Sequence, residues 1–166
     1  MHRSILTFSL AAVLAFVLVA QAPLGTSAEA ASQSVAEDGV IKVKSAYPFG
    51  ETVERLKQAI TGKGIKLFMV VEQSQLAAGV GTTLRPSSLL VFGNIGLGAQ
   101  FLASNPLSGL DWPVRLLVVE DGTGQVWAAY TDWTYIARRH RITDRDQAFT
   151  TASNVVQSIA SSVAVK

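Results

Sequence analysis

The chain has 166 residues, enough for one domain with a substantial core, and is 49% hydrophobic and 16% charged. Its 14 Lys and Arg nearly balance 12 Asp and Glu, a net +2 that provides no cationic stripe for a nucleic-acid backbone. The absence of cysteine excludes a disulfide framework, a thiolate metal site, a Cys nucleophile and a lipid anchor on Cys.

Residues 1–30 open on a short basic start, His2-Arg3, followed by apolar residues from Ile5 to Ala20. Small residues come next, with signal-peptidase-like sites after Ala28 or Ala30. This three-part layout predicts a bacterial Sec-type signal peptide, and therefore a periplasmic or secreted protein with no membrane attachment after cleavage. The rival reading is an uncleaved anchor, because ~18 apolar residues can span a bilayer. Residues 31–40 (ASQSVAEDGV) are small and polar and read as a linker. A domain is expected over residues 41–163.

Val40–Ser45 alternates apolar with basic residues, the pattern of a half-buried strand. Tyr47-Pro48-Phe49-Gly50 breaks it. From Glu51 to Lys63, the residues Val53, Leu56, Ala59 and Ile60 fall on one helical face. Glu51 and Glu54 lie in the first turn, where they complement the helix dipole, and Gly62 and Gly64 supply a stop. Ile65–Val71 (IKLFMVV) is a more apolar strand and reads as a central one. Glu72–Val80 has the length of a short helix ended by Gly81. After Arg85-Pro86 comes the strand Ser87–Phe92.

Asn94 is a good N-cap for a helix over Ile95–Ser104. Gly96 and Gly98 inside that helix each cost up to ~1 kcal/mol relative to Ala. Either the first turn is irregular or something approaches its backbone closely. Asn105-Pro106 ends the segment, and a loop leads to Pro113. Val114–Glu120 and Gln125–Tyr130 form a hairpin across Asp121-Gly122-Thr123-Gly124. Asp132 can cap a short helix, Trp133–Arg139. Arg138-Arg139-His140-Arg141 with Arg145 reads as a solvated helix end, diluted by Asp144 and Asp146. Thr143 and Asp146 have capping-box spacing ahead of a helix running to about Val163, with Phe149, Ala152, Val156, Ile159 and Val163 on one face. The order β-α-β-(α)-β-α-β-β-α-α predicts an α+β domain, a single mainly antiparallel sheet backed by helices.

The series Leu84-Arg85-Pro86, Leu90-Val91-Phe92-Gly93-Asn94, Val118-Val119-Glu120-Asp121-Gly122, Val126-Trp127, Tyr130-Thr131-Asp132 and Ala137-Arg138-Arg139-His140 resembles the DUF302 family, a domain of unknown function. The resemblance covers about residues 41–142. It implies a TBP-like layout, a curved antiparallel sheet backed by helices, and dimeric assembly, with no biochemical activity established for the family. Three positions depart from the family pattern. Ile95 and Trp133 stand where Pro is usual, and Glu72-Gln73 stands where an Asp-His pair often follows the second strand. Metal or proton chemistry on that His does not carry over.

The glycine spacing in Gly93-Asn94-Ile95-Gly96-Leu97-Gly98 is not that of a dinucleotide loop, and the βαβ setting is missing. A more modest reading lets backbone N–H groups at this helix start, with Arg85, hold a carboxylate or small anion. Against it stands a purely local one, with Asn94 capping, the glycines permitting packing and Arg85 paired with an acid. His140 is the sole histidine after the signal, so neither a metal site, a cofactor nor a catalytic triad is expected. An enzyme of another type would need Asp111, Asp132 or Glu120 to converge with Arg85 in a cleft. The aromatic second half (Trp112, Trp127, Tyr130, Trp133, Tyr135) predicts core, with a remainder for an apolar pocket or a dimer seam. The leading expectation is an exported, non-catalytic domain binding a small molecule or a protein partner, as a homodimer. Its ligand site is expected at Arg85, Gly93, Asn94, Tyr130 and Asp132. A purely structural dimeric envelope protein is the further alternative.

Overall fold

A computed structural model describes residues 38–165. The expected signal peptide and most of the linker lie outside the described residues. Five strands and five helices follow in the order β1 (Val40–Lys44), α1 (Phe49–Gly62), β2 (Lys66–Val71), α2 (Gln73–Ala78), β3 (Ser87–Gly93), α3 (Ile95–Ser104), β4 (Val114–Glu120), β5 (Val126–Thr131), α4 (Trp133–Arg139) and α5 (Asp146–Ser161). A 3₁₀ turn at Pro106–Leu110 occupies the loop before β4.

The strands form one antiparallel sheet in the order β1-β5-β4-β3-β2. Alternation sets its two faces. One cross-strand row runs Ile41, Tyr130, Leu116, Leu90, Val70 and is buried beneath the helices except for half-buried Val70. The next row, on the outer face, runs Lys42, Ala129, Leu117, Leu89, Val71. Against the inner face α1 places Val53, Leu56 and Ile60, while α5 places Phe149, Ala152, Val156 and Ile159, all buried. The helical periodicity of α5 thus lands on the expected side. Burying the Val, Leu, Ile and Phe side chains among these stabilises the fold by about 1.5–3 kcal/mol apiece.

Two local expectations are corrected. β2 lies at the edge of the sheet, not in its centre, with Phe68 36% and Met69 56% exposed. Its register with β3 breaks between Leu67 and Met69, so the apolar run is shared between two environments instead of being buried on both faces. The capping box also does not form. Arg145 holds the N-cap position of α5 without a side-chain cap. Asp144 accepts instead from Ser104 Oγ at 2.5 Å and from Arg145 Nη1 at 2.6 Å.

At the hairpin, Asp121 Oδ1 accepts from Thr123 N, Thr123 Oγ1 and Gln125 N, and its Oδ2 accepts from Trp127 Nε1 at 2.8 Å. Those donors hold the carboxyl well below the usual carboxylate range. Behind α5 the chain returns to β1. Ala164 bridges Ser45, Ala46 N donates to Val163 O at 2.9 Å and Val165 N to Lys44 O at 3.3 Å.

Candidate functional site

A cavity of about 390 Å³ lies where the C-terminal end of β3 meets α3, the end of α1 and one face of α5. Phe92, Phe101, Trp133, Ala152 and Val156 belong to the buried part of its lining, together with Ile65 and Gly93. Leu97, Trp112, Val114 and Val155 add half-buried apolar surface, and exposed Lys63, Asn94 and Thr151 bring the polar groups. The base is stiffened by aromatic packing, with ring centroids 5.0 Å apart for Phe101 and Trp133 and 4.6 Å for Phe101 and Phe149. Apolar lining with few polar groups is the usual make-up of a small-molecule site.

Trp112 explains why α3 carries glycine. A Cβ at Gly98 would stand 2.0 Å from the Trp112 indole, and one at Gly93 would stand 3.0 Å from its Nε1. The indole therefore packs directly on backbone at both ends of the Gly93–Gly98 turn. α3 itself starts regularly, with Leu97 N donating to Asn94 Oδ1 at 3.0 Å and Gly98 N to Asn94 O at 2.9 Å. Of the two alternatives for this helix start, close approach is the one realised. Gly96 has only Asn94 Oδ1 nearby, 3.5 Å from an added Cβ.

Of the five residues expected at a ligand site, Gly93 and Asn94 line the cavity. Arg85, Tyr130 and Asp132 do not. Arg85 is exposed in the loop ahead of β3. Tyr130 is buried in the inner row of the sheet, where burial and the nearby Asp132 carboxylate push its phenol up to about 12. Asp132 Oδ1 accepts from Tyr135 N at 2.8 Å and caps α4. The cavity holds none of the carboxylates weighed for catalysis, Asp111, Asp132 or Glu120. Among the described residues, Lys63 is the single charged side chain in its lining. Among the described residues no group of three or more His, Asp or Glu is placed to hold a metal ion.

The family model for the domain of unknown function DUF302 matches residues 41–161. The chain belongs to the DUF302 family. A crystal structure of an uncharacterised conserved DUF302 protein from Bacillus stearothermophilus superposes with a TM-score of 0.69 at 17% identity, over 75% of this chain and 98% of that one. The shared fold is thus the five-stranded sheet with its helical layer. The chain is also 33% identical over 109 residues, 66% of its length, to a protein of Brucella suis named fluoride-specific ion channel FluC 1. A Brucella abortus protein of the same name matches equally over those 109 residues. The chain spans 43% of the first relative and 40% of the second. No helix among the described residues is long and apolar enough to cross a membrane.

The DUF302 domain also contains a polar cluster that pattern reading did not assemble. His140, expected at a solvated helix end, is 6% exposed, and its Nε2 lies 2.6 Å from Asp111 Oδ2. Asp111, itself buried, takes Arg115 Nη2 at 3.0 Å and Arg139 Nη1 at 3.3 Å. Asn105 Nδ2 donates to His140 O at 2.8 Å, tying the 3₁₀ turn to the end of α4. The reason is packing: α4 is short, so its last turn docks against the loop before β4, and a buried carboxylate there demands charged partners. The adjoining space is only about 10 Å³, too small for a substrate. The cluster fastens α4 to the sheet. At the start of α2, Glu72 accepts from Ser88 Oγ and Gln73 Oε1 from Ser87 Oγ at 2.7 Å, anchoring α2 to β3.

Proposed function

We propose that this DUF302 domain is an exported, non-catalytic binding protein of the cell envelope that holds a small, largely apolar molecule in the cavity between α3 and α5. The carrying observation is the cavity itself: about 390 Å³, walled by Trp112, Trp133, Phe92 and Phe101, with no carboxylate in its lining. That volume falls within the ~300–1,000 Å³ typical of small-molecule sites. The basic-apolar-small layout of residues 1–30 supports export. The outer sheet face supports homodimerisation, since Leu89, Val91, Leu117 and Val119 stay only half-buried and Met69 is exposed. Native mass spectrometry of protein gently purified from its own envelope fraction reads all three properties together. A mature N-terminus at Glu29 or Ala31, a dimer mass and a bound small molecule lost in Val155→Trp are expected. A ligand-free chain whose affinity for apolar probes is untouched by Val155→Trp would overturn the pocket reading.

A second reading is favoured by the relatives named as fluoride channels. In it the domain is an accessory module that works beside a membrane channel and does not itself hold fluoride. Fluoride is small and strongly hydrated, and an apolar lining with one ammonium cannot replace its water shell. The ¹⁹F resonance of fluoride should stay unshifted on addition of the domain; a saturable shift would refute this reading.

A further inference from the structure

We infer that the cavity selects planar monoanions, molecules with an aromatic or similarly flat body and a single carboxylate or equivalent negative group, and that Lys63 is the residue that reads the charge. This inference rests on the pocket reading above and deepens it. Three observations carry it. First, Lys63 is the only charged side chain among the described lining residues. Second, among the described residues it forms no ion pair, as is also true of Lys42, Lys44 and Lys66. Its ammonium is therefore available to a guest.

Third, the other polar groups of the lining, Asn94, Thr151 and the Trp112 indole N–H, are neutral, which leaves Lys63 to tell a charged guest from an uncharged one. Asn94 Oδ1 accepts from Leu97 N, and Thr151 Oγ1 donates to Gln147 O at 2.8 Å. A guest carrying negative charge at the rim thus meets a cation and no opposing carboxylate, whereas a cationic guest meets Lys63 alone and is repelled. The aromatic walls set the shape. Trp112, Trp133, Phe92 and Phe101 favour a flat body that can stack or pack edge to face. Lys63 is exposed, so water and salt screen it, and it contributes discrimination more than affinity.

The test compares 2-naphthoate with its uncharged isostere 2-naphthamide by calorimetry, on the wild-type chain and on Lys63→Gln, Lys63→Arg and Val155→Trp. The wild type should bind naphthoate about three- to tenfold more tightly at low salt, the preference shrinking as salt is raised. Lys63→Gln should erase the preference between the two compounds, and Lys63→Arg should keep it. Val155→Trp should weaken both compounds alike. A preference that survives Lys63→Gln, or its absence from the wild type, overturns the charge-reading role while leaving the pocket standing. Failure of both compounds to bind the wild type, or equal binding to Val155→Trp, overturns the pocket and the selectivity with it.

Discussion

Two glycines only two residues apart in α3 answer to different forces. At Gly98 the Trp112 indole occupies the space a Cβ would need, at 2.0 Å. Gly98→Ala must displace that ring, and denaturant unfolding should show a loss of about 1–3 kcal/mol, with a changed tryptophan emission. Gly96 faces open space apart from Asn94 Oδ1 at 3.5 Å. Gly96→Ala should therefore gain about 0.5–1 kcal/mol in the same measurement, the helix-propensity difference between the two residues. Equal losses at both sites would show that backbone flexibility, and not the indole, selects glycine here. The glycine pattern leaves two alternatives at this helix start, an irregular turn or a close approach to its backbone. That pattern has no means of naming Trp112, because the contact joins residues 14 apart across a loop whose path no periodicity encodes.

At the level of elements, the strongest local signals came through intact. The 3.6-residue spacing of Phe149, Ala152, Val156 and Ile159 places α5 on the core, and Asp121-Gly122 marks the β4–β5 hairpin. Where an element's partner decides, local signals fail. β2 is apolar enough for a central strand, yet strand order is set by long-range pairing, and it ends at an edge. Asp111 and His140 meet across 29 positions, so neither sequence neighbourhood announces the pair. The β5 strand offers a test of burial by titration. Tyr130 has its phenol raised to about 12, above the ~10 of an unfolded chain. Below pH ~10 both states keep the proton, so the contribution is fully present there. Above it the unfolded state ionises first, and stability falls as pH rises until the folded phenol also ionises near 12. Denaturation at rising alkaline pH should show a loss of at most about 2 kcal/mol that Tyr130→Phe removes. An unchanged alkaline slope in that variant would place the effect elsewhere.

For the molecule as a whole, the one-sided helical layer leaves a half-buried sheet face and two sheet edges. The face is where a second copy is proposed to lie. The edges are guarded in different ways. β2 carries its irregularity between Leu67 and Met69 together with exposed Lys66, a combination that resists further pairing. On β1 the guard is the returning chain: Val165 N donates to Lys44 O and Ala46 N to Val163 O, so backbone groups at that end of the strand are already engaged. Those few residues after α5 therefore cover part of the β1 edge, and they are expected to hinder edge-to-edge pairing. Deleting Ala164, Val165 and Lys166 while keeping the buried Val163 should leave the core folded by circular dichroism. It should nonetheless hasten thioflavin-positive fibre growth on agitation, because Lys44 O loses its partner and a strand edge with open backbone groups is a template for the next chain. Unchanged fibre kinetics would assign the protection to Lys42 and Lys44 instead. Faster fibre growth would show that the last three residues, which add little to the core, set how concentrated the protein can become before it stops being a solution.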